Sequence, residues 1–152
     1  MIFPKTVVTS SVTETEEVGA ELGSFLLNKR EGFVAMYGDL GVGKTSFVRG
    51  FCSETSPGTV VKSPTFALVN EYKCPAQKGG IKKIFHFDMY RIADEDDLYS
   101  IGFYDYLRPD ALCIAEWCEM IPYALPDRYL KVTIEKVGFG NERNVVIEFI
   151  GE

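Results

Sequence analysis

The amino-acid sequence predicts an α/β domain, a mixed β-sheet flanked by helices. Three patterns carry that prediction. The apolar run Phe33-Val34-Ala35-Met36-Tyr37 passes straight into the glycine-rich stretch Gly38-Asp39-Leu40-Gly41-Val42-Gly43-Lys44-Thr45 and then into helical spacing. The unbroken run Ala111-Leu112-Cys113-Ile114-Ala115 has the composition of a strand covered on both faces. The segments either side of Pro75 to Gly80 read as an antiparallel hairpin, and two alternating segments near the end of the sequence read as strands around a polar turn.

In chain order, Lys5 to Thr9 is a short strand-like run. From Thr13 to Asn28, Val18, Leu22, Phe25 and Leu26 recur at helical spacing behind serine and threonine caps, and Gly32 breaks the pattern. Phe33 to Tyr37 follows as a buried strand. Thr45 to about Ser53 is the next helix, with Phe47, Val48 and Phe51 turned inward, and Pro57-Gly58 is a turn. Phe66 to Tyr72 reads as a strand, Pro75 to Gly80 as a loop, and Ile81 to Asp88 as the returning strand. Asp94-Glu95-Asp96-Asp97 opens a short helix that runs to Ile101 and stops at Gly102. Carboxylates favour a helix N-terminus, so the cluster reads as capping rather than metal binding. After Ala111 to Ala115 and Glu116-Trp117, Pro122 and Pro126 precede two alternating segments, Tyr129 to Val137 and Asn144 to Ile150.

The bulk properties narrow the function classes. A chain of 152 residues predicts one domain, residues 1–152. Such a chain buries roughly 70% of its unfolded surface and folds without staples. Its apolar stretches fall short of the ~18 residues a membrane helix needs, and Met1-Ile2-Phe3-Pro4-Lys5 does not read as a secretion signal. The expectation is a cytoplasmic protein with no membrane role. The four cysteines, Cys52, Cys74, Cys113 and Cys118, form no Cys-x-x-Cys pair, and the one histidine, His86, has no second ligand near it in sequence. Buried thiols fit better than a zinc site. The net charge of −6 lacks the basic footprint of a direct nucleic-acid binder, so any link to nucleic acid should run through a partner protein.

Gly38 to Thr45 carries the chemistry. Gly-x4-Gly-Lys-Thr between a strand and a helix is a complete Walker A loop, which makes the domain a P-loop NTPase. Glycines let successive N–H groups turn toward phosphate oxygens, and the helix N-terminus adds its positive dipole end. Lys44 is expected to reach the β- and γ-phosphates and the Thr45 hydroxyl to bind Mg²⁺. Such a site also needs a carboxylate at the end of a buried strand. Asp88 and Glu116 both qualify, and spacing alone does not divide the work between them. Thr65, in Ser63-Pro64-Thr65-Phe66, follows the first P-loop helix, where nucleotide switches place a sensor of the γ-phosphate or magnesium. The chain has no Asp-x-x-Gly, and its one Asn-Lys, Asn28-Lys29, precedes the loop; this favours ATP over GTP.

Together, Gly38 to Thr45, Ser63-Pro64-Thr65, His86-Phe87-Asp88-Met89-Tyr90-Arg91 and Glu116-Trp117 resemble the bacterial TsaE (formerly YjeE) ATPases of tRNA N6-threonylcarbamoyladenosine synthesis, in order and over nearly the whole chain. The resemblance implies a P-loop fold around a mixed sheet, binding of ATP and Mg²⁺, slow ATP hydrolysis alone, and association with TsaB and TsaD. There the ATPase acts as a motor or reset switch, and the threonylcarbamoyl transfer belongs to TsaD. It also implies roles by position. Asp39, Leu40, Gly41, Val42, Gly43, Lys44 and Thr45 form the phosphate loop. Asp88 is the acid near the metal and γ-phosphate. Glu116 is the acid that binds magnesium and orients water. Thr15 contacts the base, and Arg143 lies near the nucleotide. Met89 stands where the family has leucine or valine. Two other functions fit a small P-loop protein: a small-molecule kinase, with Arg91 and Arg108 as candidate lid residues, and a non-hydrolytic nucleotide-gated binding module.

Overall fold

A computed structural model describes the chain except for residues 30–31, 65–66, 76–77 and 152 and the side chain of Lys78. The elements are β1 (Lys5–Thr9), α1 (Val12–Lys29), β2 (Phe33–Tyr37), α2 (Lys44–Thr55), β3 (Val69–Lys73), β4 (Lys83–Asp88), α3 (Glu95–Ser100), β5 (Ala111–Glu116), β6 (Tyr129–Lys136) and β7 (Arg143–Ile150). They form one seven-stranded sheet in the order β1-β7-β6-β2-β5-β4-β3. β2 is parallel to β5 and β6, and β4 is parallel to β5. β1–β7, β6–β7 and β3–β4 are antiparallel. The sheet is mixed, as predicted, and helices flank it.

Side chains alternate along the inner strands with the two-residue period of a pleat. Val34 and Met36 of β2 and Leu112 and Ile114 of β5 face α1 and α2, joining Leu22, Leu26, Phe47 and Phe51. Phe33, Ala35, Ala111, Cys113 and Ala115 face the other way, onto Leu98 of α3, Phe103, Met89 and Ile92. All six residues of β5 are buried, which explains its unbroken apolar composition. All four cysteines are buried thiols. No helix among the described residues is long and apolar enough to cross a membrane.

Two sequence expectations shift. The strand expected from Phe66 begins only at Val69. Ala67 and Leu68 turn instead, with Leu68 at φ 65° and its N–H bonded to the Pro64 carbonyl at 2.9 Å; an apolar composition alone does not reveal such a turn. The returning strand likewise starts at Lys83 rather than Ile81. The capping role of the acidic cluster holds: the Asp97 N–H donates to Asp94 Oδ1 at 3.1 Å, and the Ala93 N–H donates to Asp97 Oδ2 at 2.8 Å. The first satisfies a backbone donor that the helix start leaves unpaired, and the second ties the residue before the cap to the first turn.

Topology decides where chemistry can sit. β1, β2, β4, β5 and β6 all point the same way, so their carboxyl ends share one edge of the sheet. That edge collects Thr9, the glycine loop after Tyr37, Asp88 and Glu116. β7 runs the opposite way and begins there, with Arg143 opposite Lys136. Open α/β sheets bind ligands beyond the carboxyl ends of their parallel strands.

Candidate nucleotide site

The glycine loop leaves β2 and enters α2 through Gly43, the helix N-cap, at φ 111°. An L-side chain there would be strained, so the tight entry into α2 depends on glycine. Lys44 opens the helix, yet its side chain is only 5% exposed. Its ammonium donates a short hydrogen bond to the Gly38 carbonyl and lies 3.5 Å from the centroid of the Trp117 ring. Burial pushes the Lys44 pKa down, while Glu119, Glu116, Asp88 and Asp39 pull it back up. Lys44 is thus a largely buried cation whose charge is felt by Glu119, Glu116, Asp88 and Asp39. Thr45 follows in the first turn of α2, half-buried.

Asp88 and Glu116 end neighbouring strands and are register partners across the β4–β5 ladder. Their environments differ. Asp88 is half-buried and accepts the Tyr90 N–H at 3.0 Å. Glu116 is 4% exposed, and its Oε2 meets His86 Nε2 at 2.6 Å. Trp117, next in the chain, adopts the left-handed conformation at φ 60° and meets the Tyr90 ring at a tilt of 55°, with centroids 4.9 Å apart.

Two cavities flank the loop. One, about 400 Å³, is lined by Ser10, Thr15, Gly41, Gly43, Ser46 and Arg143, among others. The Thr15 hydroxyl is 2.8 Å from that of Thr9, and Arg143 Nε donates to the Val42 carbonyl at 3.0 Å. Thr15 and Arg143, far apart in sequence, thus face one space beside the loop. The other cavity, about 610 Å³, lies between Gly38, Asp39 and Leu40 of the loop, Trp117, and the end of β6. Lys44, Asp88, Glu116 and Asp39 come together; Thr15 and Arg143 gather on the other side of the loop. Thr65 lies outside the described residues.

Two features escaped the sequence reading. Glu119 Oε2 accepts the Gly38 N–H at 3.0 Å, placing a fifth acidic or basic group at the start of the loop. His86 does not stand alone but bridges Tyr72 and Glu116. The spacing Glu116-x-x-Glu119 was a visible hint of the first. The second depends on strand register and left no local signal.

Strand, phosphate-type loop and helix, set at the carboxyl edge of a mixed sheet, define a P-loop α/β protein. The chain aligns over its full length with the crystal structure of Bacillus subtilis YdiB, at a TM-score of 0.68 and 25% identity, covering 88% of that chain. The family described as Threonylcarbamoyl adenosine biosynthesis protein TsaE matches residues 9–145, and the chain belongs to the TsaE family of tRNA threonylcarbamoyladenosine biosynthesis. It is 32% identical to the Bacillus subtilis (strain 168) relative "tRNA threonylcarbamoyladenosine biosynthesis protein TsaE" over 78% of this chain and 70% of that one. It is 38% identical to the Haemophilus influenzae protein of the same description over 74% of this chain and 66% of that one.

Proposed function

We propose that the chain is a Mg²⁺-dependent ATPase that drives or resets the tRNA-modifying machinery, docking on TsaB and TsaD and meeting tRNA only through them. The observation that supports this best is the side-by-side placement of Asp88 and Glu116, both within electrostatic reach of Lys44. Binding alone needs the loop and the lysine; a buried carboxylate beside them serves hydrolysis.

In this reading the backbone N–H groups of Asp39 to Thr45 cradle the phosphates. Lys44 leaves the Gly38 carbonyl for the β- and γ-phosphate oxygens. The cavity lined by Thr15 and Arg143 takes the nucleoside. The Thr45 hydroxyl and Glu116 hold Mg²⁺, and Thr65 completes the γ-phosphate end. Magnesium keeps several waters and takes one or two protein oxygens plus phosphate oxygens, so two protein ligands suffice. When bound, the ion neutralises charge on those oxygens. Glu116 has one oxygen on His86; the other would reach the magnesium shell and orient a water there, while Asp88 shapes the same pocket from β4.

A kinase gains little support. Arg108 forks onto Asp110 at 2.8 and 2.7 Å and lines a separate small cavity with Gly32 and Phe33, at the opposite end of β2 from the glycine loop.

The decisive measurement is phosphate release from ATP, with and without Mg²⁺, by the chain alone and with TsaB and TsaD. Magnesium-dependent release that rises with the partners is expected. Glu116→Gln should keep nucleotide binding and lower turnover by about 10²-fold or more, the usual range for loss of a catalytic base. Undiminished complex turnover with Glu116→Gln would instead establish a passive nucleotide-gated module, and phosphate appearing on a metabolite would establish a kinase.

A further inference from the structure

A line of buried polar groups crosses three strands behind the site. Tyr72 of β3, His86 of β4 and Glu116 of β5 lie on one side of the sheet. Tyr72 Oη is 3.1 Å from His86 Nδ1, and His86 Nε2 is 2.6 Å from Glu116 Oε2. His86 is fully buried, Tyr72 nearly so. On the outer side, the Tyr72 hydroxyl is also in donating range of the Lys62 carbonyl, at 3.3 Å, and that carbonyl already accepts from Asn70 Nδ2 at 3.0 Å.

The hydrogens on this line can be assigned by counting donors. A neutral imidazole has one N–H and one lone pair. Taking Glu116 as a carboxylate, which only accepts, and His86 as neutral, the nitrogen facing Glu116 carries the hydrogen. Were the hydrogen on Nδ1, two lone pairs would meet at 2.6 Å in a dry interior, at a cost no neighbouring group offsets. With Nε2–H toward Glu116, Nδ1 needs a donor, and the Tyr72 hydroxyl is the group in reach. The hydroxyl has one hydrogen, and His86 Nδ1 at 3.1 Å is a nearer acceptor for it than the Lys62 carbonyl at 3.3 Å, which already accepts from Asn70. Burial raises the Tyr72 pKa, which keeps the phenol a donor.

We propose that His86 is a positioning residue: with its tautomer held by Tyr72, it fixes one oxygen of Glu116 and so aims the other into the glycine-loop site. The proposal rests on the reading of Glu116 as a residue of that site. It adds a support that metal- and water-binding carboxylates in general require, since such a ligand is itself held by a hydrogen bond. The support reaches from Glu116 to β3, the edge strand, whose Tyr72 takes no part in the chemistry.

The test has one spectroscopic arm and one kinetic arm. His86 is the one histidine of the chain, so long-range ¹H–¹⁵N spectra of the full-length protein report its ring alone. The expected state is a protonated Nε2 with an unprotonated Nδ1 in the wild type, and loss of that pure state in Tyr72→Phe. A ring protonated on Nδ1, or on both nitrogens, in the wild type overturns the assignment whether or not the protein hydrolyses ATP. In the kinetic arm, His86→Ala should lower kcat by about 10-fold, as removal of such an outer partner does, with KM for ATP little changed. His86→Gln, whose amide can donate to Glu116, should recover much of the loss. Tyr72→Phe should slow the His86 protein but have no further effect on His86→Gln, because an amide has no tautomer to hold. Equal effects of Tyr72→Phe in both backgrounds would show a merely structural role and end the proposal. If the wild type, like the variants, lacks ATPase activity while the spectrum is as expected, the proposed ATPase activity fails and the Tyr72–His86–Glu116 arrangement stands.

Discussion

The ammonium of Lys44 sits 3.5 Å above the ring of Trp117 and is also bonded to the Gly38 carbonyl. The lysine that is expected to bind phosphate is therefore parked on the residue beside Glu116. A cation–π contact is worth about 0.5–2 kcal/mol, less than a charge-assisted bond to phosphate, so nucleotide should draw Lys44 off the indole. Trp117 is the one tryptophan in the chain. Its fluorescence should change saturably on adding ATP with Mg²⁺, and Lys44→Ala should abolish the response at the same nucleotide concentration. A flat titration under conditions where calorimetry records binding would mean that Lys44 stays on the ring.

Parking a buried lysine has a consequence for stability. Burial holds its folded-state pKa below the usual 10.5, so the unfolded chain binds more protons between those two values. Stability from this group then rises with pH across that window. At neutral pH the charged form is a net cost to the folded state. Lys44→Met should raise the Tm of the nucleotide-free protein at pH 7 while removing nucleotide binding. Thermal melts in the presence and absence of ATP would record both changes; a lower Tm for the variant without nucleotide would mean that the carboxylates around Lys44 outweigh its burial.

Arg143 holds the far side of the loop. Its Nε–H bonds the Val42 carbonyl, and its Nη1 donates to the Gly140 and Glu142 carbonyls. Lysine cannot reproduce this fork. A hydrogen bond from a charged donor contributes about 1.5–3 kcal/mol, so Arg143→Lys should weaken ATP binding by about 10-fold or more. Isothermal titration checks it, with the fold confirmed by circular dichroism. Unaltered affinity would separate Arg143 from the nucleotide.

Much of this arrangement was legible in the sequence because it is local. β1 and β2 fall at Lys5–Thr9 and Phe33–Tyr37 as read, since alternation or an apolar run marks each of them within a few residues. The strand–glycine–helix order placed Lys44, and the strand ends placed Asp88 and Glu116 at one edge. What was not legible is set by register. His86 meets Glu116 thirty positions away only because β4 and β5 pair with Asp88 opposite Glu116. Glu119 reaches Gly38 across 81 positions because Trp117 takes a left-handed turn that no composition announces. The late start of β3 has the same origin, in the positive φ of Leu68.

The buried thiols make a separate prediction. Burial pushes Cys52 and Cys113 from the usual 9.0 up to about 12. Thiolates are the reactive form, so at pH 8 the folded protein should resist a thiol-specific disulfide reagent, and all four thiols should react after denaturation. The folded state holds these protons where the unfolded chain releases them, so stability should fall as pH climbs from about 9 toward 12. Rapid labelling of the native protein at pH 8 would show that α2 and β5 open readily.

The packing of α1 on α2 can be tested at Gly50. A Cβ built there would lie 1.8 Å from the Glu16 carbonyl oxygen, a backbone atom that moves only if the helix moves. Alanine normally favours a helix interior over glycine by about 0.8–1.0 kcal/mol. Here overpacking, typically about 1–3 kcal/mol and occasionally more, should override that gain and push α1 off α2. Because α2 begins at Lys44 and α1 carries Thr15, the shift should loosen both sides of the glycine loop. Gly50→Ala is expected to lower Tm by several degrees and to weaken ATP binding together with it. Gly140→Ala, where an added Cβ meets nothing within 4 Å, should leave Tm within about a degree, because surface substitutions away from such contacts stay within about 0.5 kcal/mol. An unchanged or raised Tm for Gly50→Ala would show that the helices do not cross as closely as the Glu16–Gly50 contact requires.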